Sequence, residues 1–393
     1  MSIRVDSWVL RNRSAFSFVL IIGTVNFFAD LTYEGARGIV GPFLGSLGAS
    51  AAIVGFVAGF GELVGYALRS VSGYFADKTQ KYWFVTFTGY AINMLAVPAL
   101  ALAGQWPLAA GLVVAERTGR AIRKPVVEAM LSHAGRSIGA GWVFGLNEAL
   151  DQAGATIGPL LIALILFLKG GYRTGFGVLL IPALLCLGIL VVARFLHPRP
   201  QELEELSAQP LATRYLTPPY WIYLGGGALI ATGFADFALI GFHFQKAHVI
   251  PTNLIPVFYA VAMVSSALAA LPFGRLFDKF GGNIALLTFF ISAASAPCVF
   301  LGTSFFALIG MILWGIGMSA QGSLLQAMLT GVIPAEKRST AFGLFDTGYG
   351  IAWFLGSATM GLLYDKSILA LVLFSVVLQL AALPLLFIAN KSR

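Results

Sequence analysis

The segment GYFADK at residues 73–78 returns 201 positions later as GRLFDK at residues 274–279. Gly73, Asp77 and Lys78 therefore meet Gly274, Asp278 and Lys279 in register. A second echo, at an offset of 198, sets Ala129-Met130-Leu131 against Ala327-Met328-Leu329 and Phe144-Gly145-Leu146 against Phe342-Gly343-Leu344. At the same offset Glu148 falls on Asp346, Gly119 on Gly317 and Gly158 on Gly356. Repeats half a chain apart are the mark of an architecture built twice from one unit.

The surroundings of both copies say what the unit is. Of 393 residues, 58% are hydrophobic and 11% charged, with mean hydropathy +0.85. A soluble domain carries about 25% charged residues, so the composition excludes a soluble enzyme, a nucleic-acid binder and a disordered chain. A bilayer-spanning helix needs about 20 mostly apolar residues. Twelve runs qualify: 15–37, 49–75, 83–103, 106–132, 141–168, 174–196, 219–243, 253–273, 283–301, 304–332, 340–363 and 368–389. Both GxxxDK copies lie between an even and an odd run. The expected fold is an all-α membrane protein of twelve transmembrane helices in two six-helix pseudo-repeats, residues 1–196 and 219–393. The polar, proline-bearing segment 197–218 reads as the linker between them.

The start of the chain, MSIRVDSWVLRNRS, lacks a small-residue cleavage site and is read as leading into a retained first span. Cys186 and Cys298 both stand in apolar runs, with no disulfide framework or metal-ligand spacing. Lysine and arginine crowd the loops on the side of the termini, whereas the opposite loops hold Lys169, Arg173, Lys246 and Lys366. By the positive-inside rule both termini are cytoplasmic, in the inner membrane if the source is bacterial. The net charge of +8 is then a topology signal, not a surface for nucleic acid.

These features resemble the major facilitator superfamily over the whole chain. The family's loop signature after the second helix matches at Gly73, Asp77, Lys78 and Lys81, although Gln80 stands at its usual glycine; the second copy keeps Gly274, Asp278, Lys279 and Gly281. The resemblance implies that Asp77 acts in gating. Glu116-Arg117-Thr118-Gly119-Arg120 is similar to the family's helix-four arginine motif, with Arg117 in register. Gly145, Gly154, Gly158 and Pro159 match the antiporter signature of helix five, but Ile162 and Ala163 replace its closing glycines. Without the resemblance, the same glycines read as sites of close helix approach and Pro159 as a permitted bend.

A charge at the bilayer centre costs at least about 2.5–3.5 kcal/mol, so retained charges face a partner or a cavity. In span one, Asn26, Asp30, Tyr33, Glu34 and Arg37 fall on one face at the helical period of about 3.6 residues. Two carboxylates four residues apart repel, which suits a proton-coupling pair; the alternative is a Glu34–Arg37 ion pair. Span four concentrates Glu116, Arg117, Arg120, Arg123, Lys124 and Glu128 on one side. Arg117 and Arg120 either hold an anionic group or neutralise buried carboxylates, while Arg123, Lys124 and Glu128 are expected at the cytoplasmic end. Glu62 is expected to be the counter-ion of Arg69. Glu148 and Asp151 in span five, Asp236 in span seven and Asp346 in span eleven complete the candidate carboxylates. Thr232, Asp236 and His243 share a face of span seven, with His243 solvated near its outer end. Trp314, Gln321, Gln326, Tyr349 and Trp353 are candidate substrate contacts from the second half.

No phosphate-binding Gly-x-x-x-x-Gly-Lys-Ser/Thr, Gly-x-Ser-x-Gly or His-Glu-x-x-His motif occurs. The expected function is therefore secondary transport by alternating access, not enzymatic catalysis. Proton-coupled export of a small molecule is favoured by the helix-five resemblance, with no cofactor beyond the proton and a monomer as the working unit. The alternatives are a proton symporter importing a small organic anion and a non-transporting membrane sensor on the same fold.

Overall fold

A computed structural model describes residues 2–79, 81–138, 140–198, 218–330 and 338–391. The side chains of Asp77, Asp278 and Gln326, the surroundings of Gly145 and Gly274, and most of the expected linker lie outside this description. Among the described residues the regular structure is all helix. Helices α1 (Ser2–Ser46), α2 (Ala51–Thr79), α3 (Tyr82–Ala99), α4 (Trp106–Ile138) and α5 (Ala140–Phe167) are followed by the kinked pair α6 (Tyr172–Val178) and α7 (Leu180–Leu196). The second half opens on another pair, α8 (Pro218–Gly233) and α9 (Phe237–Lys246), then α10 (Ile255–Phe280), α11 (Gly282–Ser292), α12 (Ser295–Leu301), α13 (Ser304–Ser319), α14 (Leu325–Thr330), α15 (Arg338–Lys366) and α16 (Ile368–Lys391). Joined across their kinks, these make twelve traverses.

Ten of the traverses are long and apolar enough to cross a bilayer by length and composition alone. The two that fall short are α4, which carries the charges, and α15, which is rich in glycine and small polar residues. Neither could be stable facing lipid along its whole surface, and both pack into the interior of the bundle.

The sequence echo is also a packing echo. Gly158 of α5 lies against Leu31 and Gly35 of α1, and its counterpart Gly356 of α15 lies against Thr232 of α8. Gly119 of α4 meets Gly89 and Asn93 of α3, while its counterpart Gly317 of α13 meets Ser292 of α11. At Gly158, Gly356 and Gly119 the missing Cβ lets two backbones touch, and at Gly317 it makes room for the Ser292 side chain; such close approach is how membrane helices associate without a hydrophobic driving force.

Contacts between the halves concentrate at the end opposite the termini. There Gly41 of α1 sits on the backbone of Ala238 in α9, and Gly55 and Gly59 of α2 on Ser357, Phe354 and Gly361 of α15. Asp365, at the last turn of α15, accepts a hydrogen bond of 3.0 Å from the Ala52 amide in the exposed first turn of α2, and Lys246 Nζ approaches it at 3.9 Å. The end of one half thus caps a helix of the other, where a carboxylate suits the positive helix terminus. Asp365→Ala is expected to cost about 1 kcal/mol, the usual value of a lost cap, read as a lowered unfolding midpoint in detergent. Asp365→Asn should cost less.

His243, expected in solvent, is 3% exposed. Its Nδ1 lies 3.0 Å from the Tyr364 hydroxyl, and its ring packs against Phe300. It is an interior residue because α9 is enclosed by α12, α15 and α1, which the one-helix pattern does not reveal. At the other end His197 closes α7 against α1 and α3: its carbonyl accepts from Trp83 Nε1 at 3.1 Å, and burial holds its imidazole below the ordinary histidine pKa.

Candidate functional site

The polar face of α1 meets α3, α4, α5 and the second half in one buried network. At its centre Arg37 Nη2 lies 3.0 Å from Glu62 Oε1 and 3.6 Å from Asp236 Oδ2, and Nη1 lies 3.8 Å from Glu34. Arg117 Nη1 approaches Glu62 at 3.3 Å and its Nε approaches Glu116 at 3.4 Å. The Tyr259 hydroxyl of α10 donates to Glu34. Arg37, Glu34, Glu62, Glu116 and Arg117 are each at most 9% exposed and Asp236 is 2% exposed. This set therefore holds four carboxylates and two guanidinium groups. Two of its members, Asp236 and Tyr259, come from the second half, so the network crosses the seam.

Asn93 extends the network toward the terminal side. Its amide donates to the Glu116 carbonyl at 3.1 Å and to Glu116 Oε1 at 2.9 Å, while its oxygen accepts from Arg123 Nε at 3.2 Å. Arg123 also donates to Asn26 at 3.3 Å and lies 3.7 Å from Asp30. Tyr90 donates to Asn26, Asn26 to Asn147 at 2.7 Å, and Asn147 to Asp151 at 3.1 Å. Each buried charge here thus has a partner, as burial in a membrane requires.

Several expectations are corrected by this geometry. Glu62 pairs with Arg37 and Arg117; Arg69, its expected partner, stacks on Tyr66 with Cζ 4.6 Å from the ring centroid. Arg123, expected at the cytoplasmic end with Lys124 and Glu128, is 5% exposed within the network, because α4 turns it toward Asn26 and Asp30. Span seven is not continuous: it breaks between Gly233 and Phe237. Asp236 Oδ1 caps α9 by accepting from the Ala238 amide at 2.9 Å, which turns Oδ2 toward Arg37. The Gly-Phe-Ala-Asp stop-and-start signal at 233–236 could have shown the break. Trp314 is core: 1% exposed, it donates to the Ala235 carbonyl at 2.8 Å and stacks on Phe234.

The remaining candidates are placed as follows. Tyr33 lies under Arg120, whose Cζ is 4.4 Å from the ring centroid. Glu148 is exposed, accepting from Gln152 at 2.8 Å, and stands apart from the network that holds Asp151. Asp346 is half-buried on α15 and likewise stands apart. Tyr349 donates to Gln321, which occupies a π-helical turn at Ala320–Leu324. Gly154 packs on Phe27 and Asp30 of α1, so the helix-five glycines press α5 onto the helix that carries the carboxylates; Pro159 follows inside α5. Of the gating motifs, Gly73 lies beside Pro125, Lys78 rests over Tyr74, Lys279 over Phe280, and Lys81 is exposed. The side chains of Asp77, Asp278 and Gln326 and the surroundings of Gly274 and Gly145 lie outside the description. Tyr90, Asn93 and Tyr259 were missed by sequence reasoning; a polar group inside an apolar span was the signal available.

Beside the ion pairs is a cavity of about 30 Å³ lined by Tyr33, Arg37, Glu116, Arg117, Asp236 and aliphatic side chains. It has room for about one or two waters. A larger hollow of about 480 Å³ lies on the exterior between α2, α4 and α15, lined by residues such as Phe56, Phe60 and Trp106 and by no charged side chain.

Two helical halves meeting around a buried charged seam, with matching glycines in each half, is a known transporter architecture, and comparison with known proteins agrees. The family model described as Major Facilitator Superfamily matches residues 22–357 and again 250–393. The chain belongs to the major facilitator superfamily. An uncharacterised protein of Mycobacterium tuberculosis is 38% identical over 97% of this chain and 94% of its own length. An uncharacterised MFS-type transporter of Methanocaldococcus jannaschii is 25% identical, with 94% of each chain covered. Among solved structures, a mutant of the nucleoside transporter NupG superposes with TM-score 0.76 at 12% identity, covering 94% of this chain and 99% of that one. A mutant of the peptide transporter POT gives 0.72 at 15% identity, covering 95% and 93%. At these identities the structural likeness is one of fold. Membership makes the chain an integral membrane protein and a secondary transporter of a small-molecule substrate.

Proposed function

We propose that the chain couples proton movement to solute export by alternating access, with Glu34 and Asp236 as coupling carboxylates. The observation that carries this reading is the cross-seam set Glu34–Arg37–Asp236–Tyr259. Opening the end opposite the termini requires α9 and α10 to leave α1. Arg37 then loses Asp236, and Glu34 loses the Tyr259 hydroxyl. A carboxylate stripped of its partner in a low dielectric is costly, and a proton is the available counter-charge. The excess of carboxylates over guanidinium groups works in the same direction. Proton binding and the change of access are therefore one event.

Export is the direction supported by the helix-five resemblance at Gly145, Gly154, Gly158 and Pro159. The lysine and arginine bias supports cytoplasmic termini and, in a bacterium, an inner-membrane location. Two halves in one chain suffice for a monomer. Import of an anion with protons is the second reading, favoured by Arg120, which has no carboxylate within ion-pair distance among the described residues.

The test is proton movement in proteoliposomes loaded with a pH dye, driven by a panel of anions, cations and amphiphiles. Wild type is expected to move protons opposite to the solute, and Glu34→Gln and Asp236→Asn to lose at least about tenfold in rate, the weight of about 1.4 kcal/mol. Co-directional movement supports the second reading. Undiminished proton coupling in both variants removes these carboxylates from the mechanism.

A further inference from the structure

Two guanidinium groups at the seam differ from the others. Arg37, Arg117 and Arg123 each have a carboxylate within 4 Å, but Arg69 and Arg120 have none among the described residues. Both instead lie over tyrosine rings, Arg69 over Tyr66 at 4.6 Å and Arg120 over Tyr33 at 4.4 Å. Arg69 Nε is buried without a hydrogen-bond partner. The fields of both reach Glu62, which places them on one region of the seam; Arg120 also lies within the fields of Asp30 and Glu34, and Arg69 within that of Asp346 across the seam, all beyond ion-pair distance. From the other half, Tyr349 sets its ring edge to Tyr66 at 5.6 Å and hydrogen-bonds Gln321 in the π-turn. Single π-turns within α-helices recur at functional sites.

A buried guanidinium with no carboxylate in ion-pair contact leaves its fork of donors open to an anion, even where carboxylates farther off offset its charge. Arginine's planar fork fits a carboxylate or phosphonate, and rings beside it accept an organic body. We infer that the transported solute is a small organic anion, its acidic group held between Arg69 and Arg120 and its body against Tyr33, Tyr66 and Tyr349. This rests on the reading of the seam as the solute path, and it holds for either direction of transport.

The experiment is a binding titration of the purified full chain in lipid nanodiscs with benzoate and phenylphosphonate, beside benzamide and benzylamine as neutral and cationic counterparts of the same size. The two anions are expected to bind at least tenfold more tightly than their counterparts. Arg69→Gln and Arg120→Gln should each weaken them by about tenfold or more, the weight of a charged hydrogen bond. Arg120→Lys, which keeps the charge and fills the site, should recover part of that loss. Equal binding of all four probes, no anion binding up to about 10 mM, or indifference to both arginine substitutions overturns the assignment. Anion binding without any proton movement would remove the coupling reading and leave this one standing; proton coupling to a cationic or neutral solute would do the reverse.

Discussion

Arg37→Gln is expected to lower stability by about 3–5 kcal/mol, the cost of breaking a buried ion pair from one side. Arg37 is 9% exposed and lies within 4 Å of three carboxylates, Glu34, Glu62 and Asp236. Its loss leaves Glu34 with the Tyr259 hydroxyl, Glu62 with Arg117, and Asp236 with only the Ala238 amide. Denaturant or thermal unfolding in detergent reads the change. Adding Glu62→Gln to Arg37→Gln should restore a measurable part, because residues in one ion-pair network couple by about 0.5–3 kcal/mol. A loss below about 1 kcal/mol, the range of exposed pairs, would mean that water reaches the network and the seam is not sealed.

Gly41→Val is expected to abolish closure of the end opposite the termini and to cut transport by at least tenfold, a barrier change of about 1.4 kcal/mol or more. A Cβ at Gly41 would lie 2.7 Å from the Ala238 carbonyl carbon and 2.9 Å from its Cα, both backbone atoms that cannot rotate away. α1 and α9 would then have to separate, and with them Arg37 and Asp236. Labelling checks this without a known solute. In a background lacking Cys186 and Cys298, a cysteine replacing Leu44, which is 1% exposed near that end, should react with a water-soluble thiol reagent faster when Gly41 carries a side chain than when it does not. Gly225→Ala is the control, since its Cβ would meet Leu385 at 3.9 Å, ordinary van der Waals contact. An unreactive Leu44→Cys in the Gly41→Val chain would show that the crossing is not the seal.

The two predictions are not equally visible in the residues alone. Arg37 could be singled out from the polar face of span one, because helical periodicity places Asn26, Asp30, Tyr33, Glu34 and Arg37 together. Gly41 could not. Its role exists only where α1 crosses α9, and nothing in span one names Ala238 as its neighbour. The same division runs through the site. Asp236 stood out as an intramembrane carboxylate, but its place opposite Arg37 depends on the break that makes it the cap of α9. Arg69 and Arg123 were both visible as charges within apolar spans. Which of them is paired depended on the angles at which α2 and α4 present them to α1.

From the residues by themselves come the bilayer as solvent, the twelve traverses, the twofold repeat and the helices whose charge demands an interior. These follow from hydropathy, length and helical period, which are properties of one segment at a time. The tertiary structure alone decided that Glu62 serves Arg37 and Arg117, that His243 is buried against Tyr364, that Trp314 is core, and that Arg69 and Arg120 stand without carboxylates. Partner choice depends on distances of 3–4 Å between helices far apart in the chain, and a single-helix pattern holds no information about those distances.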